Sequence, residues 1–86
     1  MYIIMAYDVN EKRVSKILKI ARKYLNWVQN SLLEGELTIS KFEKLKSEVS
    51  KVINQKEDSV LFYIFSQIQQ VEKQHLGQIK KIDILI

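Results

Sequence analysis

The sequence predicts a two-layer α+β domain, with two helices on one face of a mostly antiparallel sheet. Three observations carry this expectation. Two continuous apolar runs, residues 2–7 (YIIMAY) and 58–65 (DSVLFYIF), are too short for helices, and the second is rich in β-branched and aromatic residues. Between them lie two segments whose apolar residues recur at helical spacing. The remaining segments are short and alternate, giving the order strand, helix, strand, helix, strand, strand, strand, with no proline, repeat or linker. At 86 residues the chain is expected to be a single domain spanning 1–86.

Residues 2–7 form an unbroken apolar run ending at Asp8, which reads as a central strand covered on both faces. Asn10 can cap the helix that follows, and Glu11 suits its positive end. Val14, Ile17, Leu18, Ala21 and Leu25 make the apolar face of that helix, and Lys12, Lys16, Lys19 and Lys23 fall opposite. Arg13 and Arg22 take the flanks. The helix is expected to stop near Leu25 and Asn26, where asparagine replaces glycine in a left-handed turn. Residues 27–37 (WVQNSLLEGEL) read as a bent strand or a very short hairpin, with Gly35 at a bulge or a close backbone approach. Thr38 or Ser40 can cap the second helix, Ser40 and Glu43 have capping-box spacing, and Phe42, Leu45, Val49, Val52 and Ile53 form its core face. Residues 58–65 read as a second central strand, 67–77 (QIQQVEKQHLG) as an exposed strand ending at Gly77, and the last six residues, 81–86 (KIDILI), as a terminal apolar strand.

So small a chain buries roughly 60% of its unfolded surface and ordinarily needs help to be stable. Cysteine is absent and His75 is the one histidine, so disulfides and a thiolate or imidazole zinc site are excluded and oligomerisation is the favoured helper. No stretch approaches the ~18 apolar residues of a membrane span, so a cytoplasmic protein without membrane partners is expected. The net charge of +4 is concentrated: from Glu11 to Lys23 there are six basic residues and one acid. Ordinary exposed helix faces mix signs, so the stripe of Lys12, Lys16, Lys19 and Lys23, with Arg13 and Arg22, is a candidate phosphate-binding surface; its bland reading is a solvated face.

Asp8 has two readings from the residues alone. An aspartate between strand and helix can cap the helix or bond to backbone amides of the turn. It can also be a metal ligand, although a lone carboxylate cannot hold magnesium, whereas two copies related by a dimer axis can. Tyr7, Tyr63 and Phe65 read as core residues, and Trp27 as packing at a helix–strand junction. His75 has no role assigned, and Ser31 has no histidine with which to build a nucleophilic triad.

The combination of "YIIMAYD", a basic amphipathic helix, "VQNSLLEGEL", a second helix and "DSVLFY" resembles the small CRISPR-associated endonuclease family, the second of the two core proteins of spacer acquisition. The resemblance covers nearly the whole chain. It implies a ferredoxin-like fold, a symmetric homodimer whose C-terminal strand joins the partner's sheet, and a scaffold role between integrase dimers. It further implies a magnesium-dependent nuclease acting on RNA or duplex DNA, with Asp8 as metal ligand and catalytic residue and Arg13 stabilising charge on phosphorus. Lys12, Arg13, Lys16, Lys19, Arg22 and Lys23 would be the nucleic-acid contacts. The chain departs from the family pattern at Trp27, where many members have arginine, at Leu33, where phenylalanine is usual, and at Asn26, which stands for a glycine. Rival readings are a toxin-type ribonuclease of the same fold and a regulatory module that binds no nucleic acid.

Overall fold

The computed structural model describes residues 1–66, 72 and 74–77. Its elements are β1 (Tyr2–Asp8), α1 (Glu11–Ala21), β2 (Asn26–Gln29), β3 (Leu32–Glu36), α2 (Ile39–Ser50) and β4 (Ser59–Phe65). The sheet order is β2-β3-β1-β4, and every pairing is antiparallel. This is the ferredoxin-like arrangement of two helices on a four-stranded antiparallel sheet. The expected strand at 67–77 and the expected terminal strand at 81–86 lie outside the described residues, apart from 72 and 74–77, which carry no strand.

β1 is central as expected, but only one of its faces is sealed. Ile3, Met5 and Tyr7 are buried beneath the helices, whereas Tyr2, Ile4 and Ala6 are half-buried on the other face and Asp8 is exposed. Apolar side chains on both faces made the run look doubly covered, yet both helices pack on one side. β4, expected to be central, is the last strand of the sheet among the described residues. Among the described residues it pairs only with β1, and Leu61 and Tyr63 are about half exposed. Tyr63 and Phe65, expected in the core, therefore lie on the open face, while Tyr7 is in the core as expected.

α1 presents Ile17, Leu18 and Ala21 to the sheet, and Asn10 Oδ1 accepts a hydrogen bond from the Lys12 amide at 3.0 Å, as the capping argument requires. The helix ends at Ala21, four residues before the expected stop. The amides of Lys23 and Tyr24 donate to the carbonyls of Ile20 and Ala21 and tighten the last turn, so no left-handed residue is needed there. Residues 27–37 are a hairpin. Its left-handed residue is Asn30 (φ 43°) rather than Asn26, which opens β2, and Val28 is passed over where the register shifts. Gly35 is a close approach: a Cβ there would stand 3.3 Å from Leu25 Cδ2.

Thr38, not Ser40, caps α2, its Oγ1 accepting from the Lys41 amide at 3.1 Å. Glu43 pairs with Lys46 at 2.8 Å instead of closing a capping box. Phe42, Leu45 and Val49 enter the core, and Val52 and Ile53 pack at its edge beyond the helix end. Phe42 meets Phe62 of β4 edge-to-face, with centroids 5.1 Å apart.

Candidate functional site

The open sheet face is built by strand alternation. Register places Tyr2, Ile4, Ala6 and Asp8 of β1 beside Phe65, Tyr63, Leu61 and Ser59 of β4, and beside Glu36, Glu34 and Leu32 of β3. The face is largely apolar, and its carboxylates lie among aromatic and aliphatic side chains. Glu34 is buried, and the Tyr2 hydroxyl bonds to it; burial and then this carboxylate push the Tyr2 pKa up to about 12. On the core side, the Tyr7 hydroxyl is buried with no hydrogen-bond partner of normal geometry, and burial raises its pKa, with Ser31 opposing.

Asp8 ends β1 on this open face, directly across from Ser59. Its side chain takes no hydrogen bond from any described residue. The turn and capping work that an aspartate could do here is done by others. Asn10 caps α1, and Asp58 Oδ1 accepts the Asn10 amide at 2.9 Å. The Asp8 carboxylate is thus exposed, with neither the turn nor the helix cap to hold it.

The basic residues of α1 and of the turn that follows it, where Arg22 and Lys23 lie beyond the helix end, fall into separate groups. Lys12, Lys16 and Lys19 are exposed on the outer side of the helix layer and form no ion pair among the described residues. Lys23 and the Tyr24 hydroxyl both donate to the Glu48 carboxylate of α2. Lys23 and then Tyr24 hold the Glu48 carboxyl below its usual range. The Arg22 guanidinium lies over the Trp27 ring, 5.3 Å from its centroid, and the indole N–H donates to the Asn30 carbonyl at 2.8 Å. Trp27 is thus a packing residue at the helix–strand junction, as expected. His75 is exposed.

Arg13 is turned inward. Its Nε donates to Asp58 Oδ2 at 2.5 Å and its Nη2 to Asp58 Oδ1 at 3.1 Å, and Nη2 also reaches Glu57. The Asp58 side chain is fully buried, and its Oδ2 accepts the Asn54 amide at 2.8 Å. Asp58, Glu57 and Glu48 were not legible in advance. Asp58 sits at a strand boundary, but nothing in the pattern ties it to an arginine 45 residues away.

Asp8 and the lysines do not form one cluster. Asp8 lies on the open sheet face, and Lys16 and Lys19 lie on the far side of the helix layer; Lys12, in the first turn of α1, is nearest the Asp8 end of the sheet. Among the described residues no three of His, Cys, Asp and Glu come together as a metal site.

Residues 1–73 match the family model described as CRISPR associated protein Cas2. The chain belongs to the Cas2 family. The CRISPR-associated endoribonuclease Cas2 of Thermotoga maritima is 65% identical over 77 residues, which cover 90% of this chain and 88% of that protein. Its counterpart in Dictyoglomus turgidum is 57% identical over the same shares. A crystal structure of a Cas2 superposes with a TM-score of 0.83 at 38% identity, over 93% of this chain and 90% of the other. Streptococcus pyogenes Cas2, solved at pH 6.5, gives 0.78 at 31% identity, over 90% of this chain and all of that one. The ferredoxin-like fold and the place of the chain in CRISPR systems follow from this membership. Among the described residues no helix is long and apolar enough to cross a membrane.

Proposed function

We propose that this Cas2 protein works as a cytoplasmic homodimer in spacer acquisition. In this reading it binds the phosphates of duplex DNA or RNA along α1, serves as a scaffold for the CRISPR integrase, and carries a magnesium-dependent phosphodiesterase site where two copies of Asp8 meet. The observation that carries the reading is Asp8: an exposed carboxylate without a hydrogen bond from the described chain, at the end of a sheet face with exposed Leu61 and Tyr63. Covering that face with a second copy would bury the apolar side chains and supply the second carboxylate that one chain lacks.

The residues fit magnesium, which takes oxygen ligands and binds through one or two carboxylates together with phosphate and water. When bound, the ion would polarise a phosphate and acidify a water. The chain's own groups divide the remaining work. Lys12, Lys16 and Lys19 draw the polyanion to the surface. The Asp8 carboxylate repels a phosphodiester unless a cation neutralises it, so approach to the site depends on the cation. The relatives' name, endoribonuclease, favours RNA as the substrate for cleavage.

The test is Asp8→Asn, assayed with and without magnesium on RNA and duplex DNA. The variant keeps the shape and loses the charge. Because the side chain has no partner to lose, its stability should stay within about 0.5 kcal/mol of wild type while metal-dependent cleavage disappears. Cleavage by the variant at the wild-type rate would remove Asp8 from the metal site. Inactivity of both proteins would retire the nuclease and leave the scaffold.

A further inference from the structure

We propose that Arg13 and Asp58 are a positioning pair for Asp8 and that Arg13 does not contact the phosphate. The inference rests on the metal role of Asp8 proposed above and changes the part expected of Arg13.

The first argument is donor use. Of the five guanidinium N–H groups, the fork formed by Nε and Nη2 is spent on Asp58, and Nη2 also serves Glu57. The Arg13 side chain is only 20% exposed. Counting one positive charge against two carboxylates, the cluster is net negative, which is the wrong sign for a phosphate.

The second argument is what the clamp holds. The buried Asp58 carboxylate takes four N–H bonds, two on each oxygen, and one comes from the Asn10 amide, two residues beyond Asp8. The residue after Asp58 is Ser59, the cross-strand partner of Asp8. The clamp thus fastens β1 and β4 at the point from which Asp8 projects. Before Asp8 the ladder to β4 fixes the backbone, and after it the Asn10–Asp58 bond does. A metal ligand needs such support: loss of an outer residue that orients a ligand commonly lowers metal affinity about 10–100-fold.

The experiment uses full-length Arg13→Lys, Arg13→Ala and Asp58→Asn, with Lys16→Ala as a control, and needs no turnover. In duplex DNA binding against salt, both Arg13 variants should keep the wild-type slope, while Lys16→Ala lowers it by about one. A loss of about one unit in Arg13→Ala would overturn the proposal by showing a phosphate contact. In Mn2+ titrations followed by water proton relaxation, Arg13→Lys and Asp58→Asn should each bind at least about tenfold more weakly than wild type, and the double variant no worse than the singles. Lysine keeps the charge but not the fork, so wild-type Mn2+ affinity in Arg13→Lys would overturn positioning. If wild type itself binds no Mn2+, the metal reading of Asp8 falls, and amide exchange decides the clamp. Faster exchange at Asn10 with unchanged exchange at Met5 in Asp58→Asn supports it, whereas unchanged exchange at both, or equal acceleration of both, overturns it.

Discussion

Asn30 and Gly35 show how single residues set the hairpin. Asn30 sits at φ 43°, where a side chain with a branched Cβ is strained and glycine is not. Asn30→Gly should melt within about 1 kcal/mol of wild type, and Asn30→Val should cost roughly 1–2 kcal/mol, as urea titration would show. Gly35 has no such φ, and its constraint is space. An added methyl would press on the buried Leu25 side chain, so Gly35→Ala should lose about 1 kcal/mol, with a larger loss for Gly35→Val. A neutral Gly35→Val would show that Leu25 can move aside. Gly35 was legible in the sequence as a bulge or close approach, whereas Asn30 was not, and the left-handed position was expected at Asn26. The sequence could not show that the end of α1 is closed by its own amides, because that depends on a 3₁₀-like turn that any residue can form.

At the scale of elements, periodicity revealed the strands and helices but not which faces they cover. Within residues 2–7 the outward side chains Tyr2, Ile4 and Ala6 are apolar like the inward Ile3, Met5 and Tyr7, so the run could not tell a helix from open space. Helical spacing likewise grouped six basic residues on α1 without showing that two of them meet carboxylates brought from α2 and from the loop before β4. Lys16→Ala combined with Lys19→Ala should flatten the salt dependence of DNA binding by about two units per protomer. Lys23→Ala should change it less, because Glu48 already neutralises that charge. An unchanged slope in the double variant would mean that the stripe is solvated surface.

The clamp between α1 and β4 also sets the acid limit of the fold. Arg13, with the Asn54 and Asn10 amides, holds the folded Asp58 carboxyl well below the usual carboxylate range, against the opposing effect of burial. The unfolded chain takes up that proton near pH ~4, so the stabilisation is whole above about pH 5 and is lost as pH falls toward the lower folded value. Glu48 shifts the same way but is exposed to solvent screening, so its share is smaller. Wild-type melting temperature should fall steeply from pH ~5 to ~2, whereas Asp58→Asn should melt lower at neutral pH with a shallower acid limb. Parallel limbs would place the acid sensitivity elsewhere.

Among the described residues the molecule is a sheet with one face dressed by helices and the other largely apolar, and its size explains why that face matters. A core of this size, with no disulfide, is marginal, and the exposed Leu61 and Tyr63 on that face enlarge the apolar surface left to water. The proposed dimer turns that liability into stability and sets two Asp8 carboxylates within one assembly. In a twofold interface every substitution counts twice. A buried leucine is worth about 1.5–3 kcal/mol, so Leu61→Glu should raise the dimer dissociation constant by at least about a hundredfold before any penalty for the charge. Sedimentation equilibrium should then find wild type dimeric at micromolar concentration and the variant monomeric. Magnesium-dependent cleavage should fall with the dimer, although Asp8 and the α1 lysines are untouched, because one chain offers a single Asp8. A monomeric wild type would remove the argument for a shared site, and a fully active monomeric Leu61→Glu would mean that Asp8 does its work alone.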